Sequence, residues 1–146
     1  MKRTGATVLM AGTFAVAAHG AATRAPQDAT RTTWSGVYTE DQAKRGEAVY
    51  AKACASCHGP ELDGVDQASP LAGKDFAAGW DTLSLSDLFT RIKVSMPADK
   101  PGSLTPEEVA QTIAFILRKN GFPAGASELG TQADTLKSIT YVATKP

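Results

Sequence analysis

The chain has 146 residues, 42% of them hydrophobic, and carries 15 Lys and Arg against 15 Asp and Glu. That length bounds one domain with extensions. A formal net charge of zero excludes the basic face that binding to nucleic acid requires.

The N-terminus reads as an export leader over residues 1–20. Met1, Lys2 and Arg3 give a positive start, and an apolar run follows from Gly5 to Ala18. Ala18-His19-Gly20 offers a cleavage site after Gly20, and Gly20-Ala21-Ala22 offers a second one after Ala22. A membrane anchor is the alternative, but the run falls short of the span of about 20 apolar residues that a bilayer needs. Cleavage would remove Lys2, Arg3, Met1, Met10 and His19, leaving a slightly acidic chain with one His, His58, and one Met, Met96. Such a chain would not insert in a membrane. Residues 21–35 are rich in Ala, Thr, Arg and Gln without an apolar period and read as a linker. Trp34 is free either to dock on the domain or to stay loose.

A helix is expected after Thr39. Thr39 suits an N-cap, and Glu40 and Asp41 fill the first turn, where the dipole favours acids. Ala43, Gly46, Tyr50 and Ala53 recur on one narrow face. Gly46 at mid-helix costs about 1 kcal/mol relative to Ala and marks a close approach by another helix.

This helix runs into Cys54-Ala55-Ser56-Cys57-His58, a C-x-x-C-H sequence and the attachment pattern of a c-type haem. Two thiols at this spacing lie on one side of a single turn and can add to two vinyl groups on one porphyrin edge. The next residue, His58, then offers a nitrogen to the iron. A thioredoxin-type redox pair would need a strand–helix context that is missing here. Half a zinc site would need further ligands. Both thiols are used by the motif, so no disulfide framework remains.

Gly59-Pro60 ends the motif, and a loop follows, punctuated by Gly64 and Gly73. Glu61, Asp63 and Asp66 read as a solvated acidic face. Pro70 can accept a hydrogen bond at its carbonyl from the second nitrogen of a ligand His. Leu71 and Phe76 suit packing against a haem, and the Trp80 indole could donate to a propionate. A second helix is expected over about 84–94, with Ser84 and Asp87 as a capping box in which Asp replaces Glu. Leu85, Leu88, Phe89 and Ile92 form its apolar stripe, and Leu88 and Ile92 would line the distal side of the haem. Met96 follows, extended by Pro97. With no other Met or His in the mature chain it is the expected sixth ligand, against an open position or ligation by Lys. The last helix starts at Thr105-Pro106-Glu107-Glu108, carries Val109, Ile113, Ile116 and Leu117 on its stripe, and stops at Asn120-Gly121. Residues 122–146 read as a tail with a helical turn near 132–137.

Taken together, residues 36–121 resemble a small class I c-type cytochrome. The resemblance implies an all-α fold, a cytochrome c-like helical domain wrapped around one covalently attached haem. The cofactor would be haem c, bonded through Cys54 and Cys57, with its iron held by His58 and Met96. It implies that the first and last helices cross where Gly46 and Tyr50 meet Phe115, and that the Pro70 carbonyl bonds the ligand His. The run from Pro70 to Trp80, the segment from Met96 to Leu104, and Asn120-Gly121-Phe122-Pro123 resemble a bacterial subgroup found beside or fused to quinoprotein alcohol dehydrogenases. The expected function is one-electron transfer in the periplasm, without catalysis, between a dehydrogenase and an oxidase or another cytochrome. Its partners would be redox proteins, including a periplasmic quinoprotein dehydrogenase, and the protein would be a monomer or a complex subunit. The alternatives are a permanently bound cytochrome subunit docked through its tail, and a haem sensor with an open site.

Overall fold

The structure, a computed structural model, describes residue 1, residues 31–66 and residues 68–146. The leader, its cleavage sites and the first part of the linker lie outside the described residues. In chain order the elements are β1 (Arg31–Thr32), a 3-10 turn (Thr33–Ser35), α1 (Glu40–Ala53), α2 (Ala55–His58), α3 (Lys74–Trp80), α4 (Leu85–Ser95), α5 (Pro106–Lys119), α6 (Ala133–Lys137) and β2 (Ile139–Thr140). The domain is all-α in character, as expected from the sequence. Among the described residues no helix is long and apolar enough to cross a membrane.

The helix starts follow from local chemistry. Thr39 accepts from the Gln42 N–H at the head of α1. Ser84 and Asp87 close a reciprocal capping box on α4, and Thr105 and Glu108 close another on α5, whose first residue is Pro106. Each such cap is worth about 1 kcal/mol. The helix α3 lies in the stretch read as a loop. Its sequence, with Ala77, Ala78 and Gly79, is too short and too small in side chain to show a period. Its start at Gly73 has no side-chain cap.

The centre of the molecule is the crossing of α1 and α5. Gly46 is buried there, and a Cβ on it would stand only 1.8 Å from the Gln111 carbonyl oxygen. The two backbones therefore touch because position 46 has no side chain. One turn along, the Tyr50 and Phe115 rings meet at 5.1 Å, which is the contact anticipated from the resemblance. Arg118 lies over the Phe115 ring at 5.3 Å. It bonds Glu40 at 3.0 Å and Glu47 at 2.6 Å, so α5 is tied across α1 at the surface as well. The expected stripe of α5 is buried, and so are Ala110, Thr112, Ala114 and Phe115. This helix is enclosed on more than one face.

What encloses it includes the segments on either side of residues 36–121. Phe122, Leu129, Leu136, Ile139 and Tyr141 are all buried in the same core. The short strands β1 and β2 pair in parallel, Arg31 opposite Ile139 and Thr32 opposite Thr140. Trp34 packs on Phe122 with the rings tilted and their centres 4.7 Å apart, and its indole N–H donates to the Val142 carbonyl at 2.8 Å. The buried Gln42 side chain exchanges two hydrogen bonds with the Leu129 backbone, each 2.8 Å. Residues 31–35 and 122–146 thus fold onto the helices between them.

Candidate functional site

Cys54 is where α1 ends. Its N–H still bonds the Tyr50 carbonyl at 2.8 Å, but its φ of −127° and ψ of −36° turn the chain out of the helix. The single-turn α2 begins at once. The N–H groups of Cys57 and His58 both bond the Cys54 carbonyl, at 3.1 and 2.9 Å. Both thiols are free, with Cys54 half-buried and Cys57 exposed. Burial first, and then the neighbouring Cys57, pushes the Cys54 thiol up to about 11. A thioredoxin-type attacking thiol is held low instead, as a thiolate. Among the described residues no group of three or more His, Cys, Asp and Glu could hold a metal ion, so no closed zinc site forms around the pair.

The turn is held from both sides. The Tyr50 hydroxyl, buried under α2, donates to the Gly59 carbonyl at 2.6 Å, and the Gly64 N–H bonds the His58 carbonyl at 2.9 Å. The His58 ring is fixed by its Nδ1–H, which donates to the Ser69 carbonyl at 2.8 Å. That acceptor corrects the expectation at Pro70, by one residue. The physical reason is that a proline restrains the residue before it to extended backbone. Pro70 therefore sets the direction of the Ser69 carbonyl instead of supplying its own. With Nδ1 occupied, Nε2 is the nitrogen left to bind a metal.

The loop bearing this acceptor is anchored by Asn120, a residue read from the sequence as a helix stop and as part of the subgroup run, with no site role. Its side-chain amide donates to the Leu71 carbonyl at 3.0 Å, and its oxygen accepts from the Gly73 N–H at 3.1 Å. Asn at a helix end is common enough that no sequence signal distinguishes this role.

Cys54, Leu71, Trp80 and Met96 all pack against the one hydrophobic core while remaining partly exposed, and Leu88 and Ile92 are buried in that core. Cys57 and Pro70 are exposed and do not belong to that cluster. Phe76, also expected to face a haem, is buried, with its ring 6.1 Å from that of Trp80. Met96 caps the end of α4 with extended backbone, φ −123° and ψ 153°. The two free thiols, the His58 ring with Nδ1 already bonded, and the Met96 thioether are the groups of this chain that could hold a c-type haem. The open hollow lined by Leu83, Ser86, Asp87 and Lys137 lies at the other end of α4 and contains none of these residues.

This is the arrangement of a c-type haem domain, and comparison with known proteins agrees. The family model described as cytochrome C oxidase, cbb3-type, subunit III matches residues 41–116. A cytochrome c from Guizotia abyssinica is 31% identical over 96 residues, covering 51% of this chain and 86% of the relative. The chain belongs to the cytochrome c family and is an electron-transfer haem protein. Among solved structures, the sulfane dehydrogenase SoxCD from Paracoccus pantotrophus is similar at 27% identity and a TM-score of 0.47. That match covers 60% of this chain and 52% of the other, so this chain spans about half its length.

Proposed function

We propose that this protein is a periplasmic monohaem c-type cytochrome that carries one electron at a time between a dehydrogenase and a downstream oxidase or cytochrome. The observation that carries this reading is the His58 ring. It follows two free thiols on one turn, and its Nδ1 is committed to the Ser69 carbonyl. When bound, haem c supplies an iron that cycles between two oxidation states. Every other part of the function falls to the chain.

Cys54 and Cys57 would hold the group as thioethers. His58 would ligate through Nε2, its orientation fixed by Ser69 and by the Tyr50-anchored turn. Apart from Met1, Met96 is the only Met among the described residues, and His58 is the only His. Met96 would take the second axial position. A His/Met pair raises the potential above that of two imidazoles. Leu88 and Ile92 would keep water from that side, and low polarity there disfavours the more charged oxidised state. His58 and Met96 would together fill both positions on the iron, and no second His stands among the described residues to act as a distal acid or base, which favours a carrier over an enzyme.

The leader pattern of Met1, Lys2 and Arg3 followed by an apolar run supports export to the periplasm. The resemblance to cytochromes that accompany quinoprotein dehydrogenases supports such an enzyme as donor. The feature that would favour a permanently docked subunit is a C-terminal tail free to act as a docking arm. Phe122, Leu129, Leu136, Ile139 and Tyr141 instead pin that segment to the core of its own domain, so the carrier reading is preferred.

The test is Cys57→Ala in cells competent for haem attachment. Holoprotein yield should fall sharply, and the remaining protein should carry at most one thioether by mass and by haemochrome spectrum. Ordinary double attachment in that variant would rule out the motif reading.

A further inference from the structure

We propose that Lys93 is a positioning residue for Met96, holding shut the loop that presents the thioether. The proposal rests on the reading of Met96 as an axial ligand. Lys93 lies in the last turn of α4, three residues before Met96, the residue that caps it. Its Nζ donates to the Gly102 carbonyl at 2.9 Å and to the Leu104 carbonyl at 2.7 Å. No carboxylate among the described residues pairs with it. Both bonds run from the limb on which the chain leaves α4 to the limb on which it returns to α5.

The loop between those limbs has little else to hold it. Residues 98–103 are exposed. Pro97 and Pro101 have no N–H to give. The hydrogen bonds within the loop are Lys100 N–H to the Pro97 carbonyl at 2.9 Å and Ser103 N–H to the Lys100 carbonyl at 3.3 Å. Leu104 is buried and anchors the far limb. Lys93 closes the base of the loop between Leu104 and Met96. A cation at a helix C-terminus is favoured by the dipole, and bonds from an ammonium are stronger than neutral ones. A thioether is a neutral ligand whose retention on a metal depends on how rarely its loop opens. Loss of the clamp raises the open population, and any outside ligand enters through that population.

The experiment uses ferric holoprotein and imidazole as the probe, at a temperature well below unfolding. Lys93→Ala should bind imidazole at least roughly tenfold faster than wild type, a lower bound set by the net loss of one of its two charge-assisted bonds. Lys93→Arg, which keeps donors on a long stem, should return the rate to within about twofold of wild type by the same accounting. A merely structural role would lower the melting temperature without this split between Ala and Arg. If wild type shows the sulfur-to-iron band of Met ligation and Lys93→Ala binds imidazole at the wild-type rate, the clamp is overturned and Met96 stands. If wild type lacks that band, ligation by Met96 is overturned and the clamp with it. Hydrogen exchange on the wild-type holoprotein gives a reading that needs no variant. The Lys100 and Ser103 amides should be protected, and exchange at the rate of an open chain contradicts the proposal.

Discussion

The acceptor for His58 is set by a peptide unit that side-chain chemistry alone does not reveal. Pro70 is visible in the sequence as a landmark, and its effect on the carbonyl before it appears only once the backbone is in place. Cys54, Cys57, His58 and Met96 stand out as candidates in the sequence because the chemistry proposed for them depends on residue type and spacing. Ser69 and Asn120 do not, since the first acts through its backbone and the second through a side chain whose partners lie far off in sequence. Tyr50 shows a similar limit. Its place on the apolar face of α1 was readable, while its bond to Gly59, which holds the C-x-x-C-H turn, was not. Tyr50→Phe keeps the ring against Phe115 and removes that bond, at a cost of about 1 kcal/mol in denaturant unfolding of the holoprotein. The variant should also alter the alkaline limb. Burial first, then the free Cys54 thiol and nearby acids, hold the Tyr50 phenol up at about 12, above its ordinary value of 10.0; a thioether at Cys54 removes the thiol's part and leaves burial and the acids to raise it. A phenol raised on folding stabilises fully below the unfolded value and loses that contribution as pH rises towards the folded one. Between pH 10 and 12 wild type should therefore lose more stability than Tyr50→Phe. Equal slopes in that window would contradict the assignment.

At the scale of elements, the three longest helices were legible because each pairs a cap with a run long enough to show its period. Thr39, Ser84 and Thr105 cap α1, α4 and α5 as their sequences suggest. The single-turn α2 and the seven-residue α3 have no such run, so their existence depends on what they pack against. The crossing of α1 on α5 is the contact that organises the rest. Gly46→Ala would drive a methyl group into the Gln111 carbonyl, and neither backbone can yield without moving a whole helix. Overpacking of this kind costs about 3 kcal/mol, which in a protein of this size lowers the melting temperature by about 10 °C. A melting temperature within about 2 °C of wild type would mean that the helices are not in contact at this point.

Over the whole molecule, the segments outside the cytochrome-like stretch complete its core. Their apolar residues, Phe122, Leu129, Leu136, Ile139 and Tyr141, follow no helical or strand period, so periodicity could not place them. They are recruited singly, by strand pairing with Arg31 and Thr32, by the Gln42 side chain, and by the aromatic contacts of Trp34 and Phe76. Each buried side chain of this size contributes about 1.5–3 kcal/mol. Together they rival the whole stability of a typical domain, about 5–15 kcal/mol. A chain truncated after Gly121 should give little soluble holoprotein. Recovery of a holoprotein with near-native stability would show that the tail is dispensable.

The central claim is that one haem is held between His58 and Met96 in a site closed to other ligands. The most direct test is the ferric optical spectrum of the purified holoprotein, extended into the red and compared with that of Met96→Ala. Wild type should be low-spin and show the sulfur-to-iron charge-transfer band. The variant should lose that band, bind cyanide and have a lower potential. A high-spin wild-type spectrum without the band, or a variant that keeps it, would contradict the account.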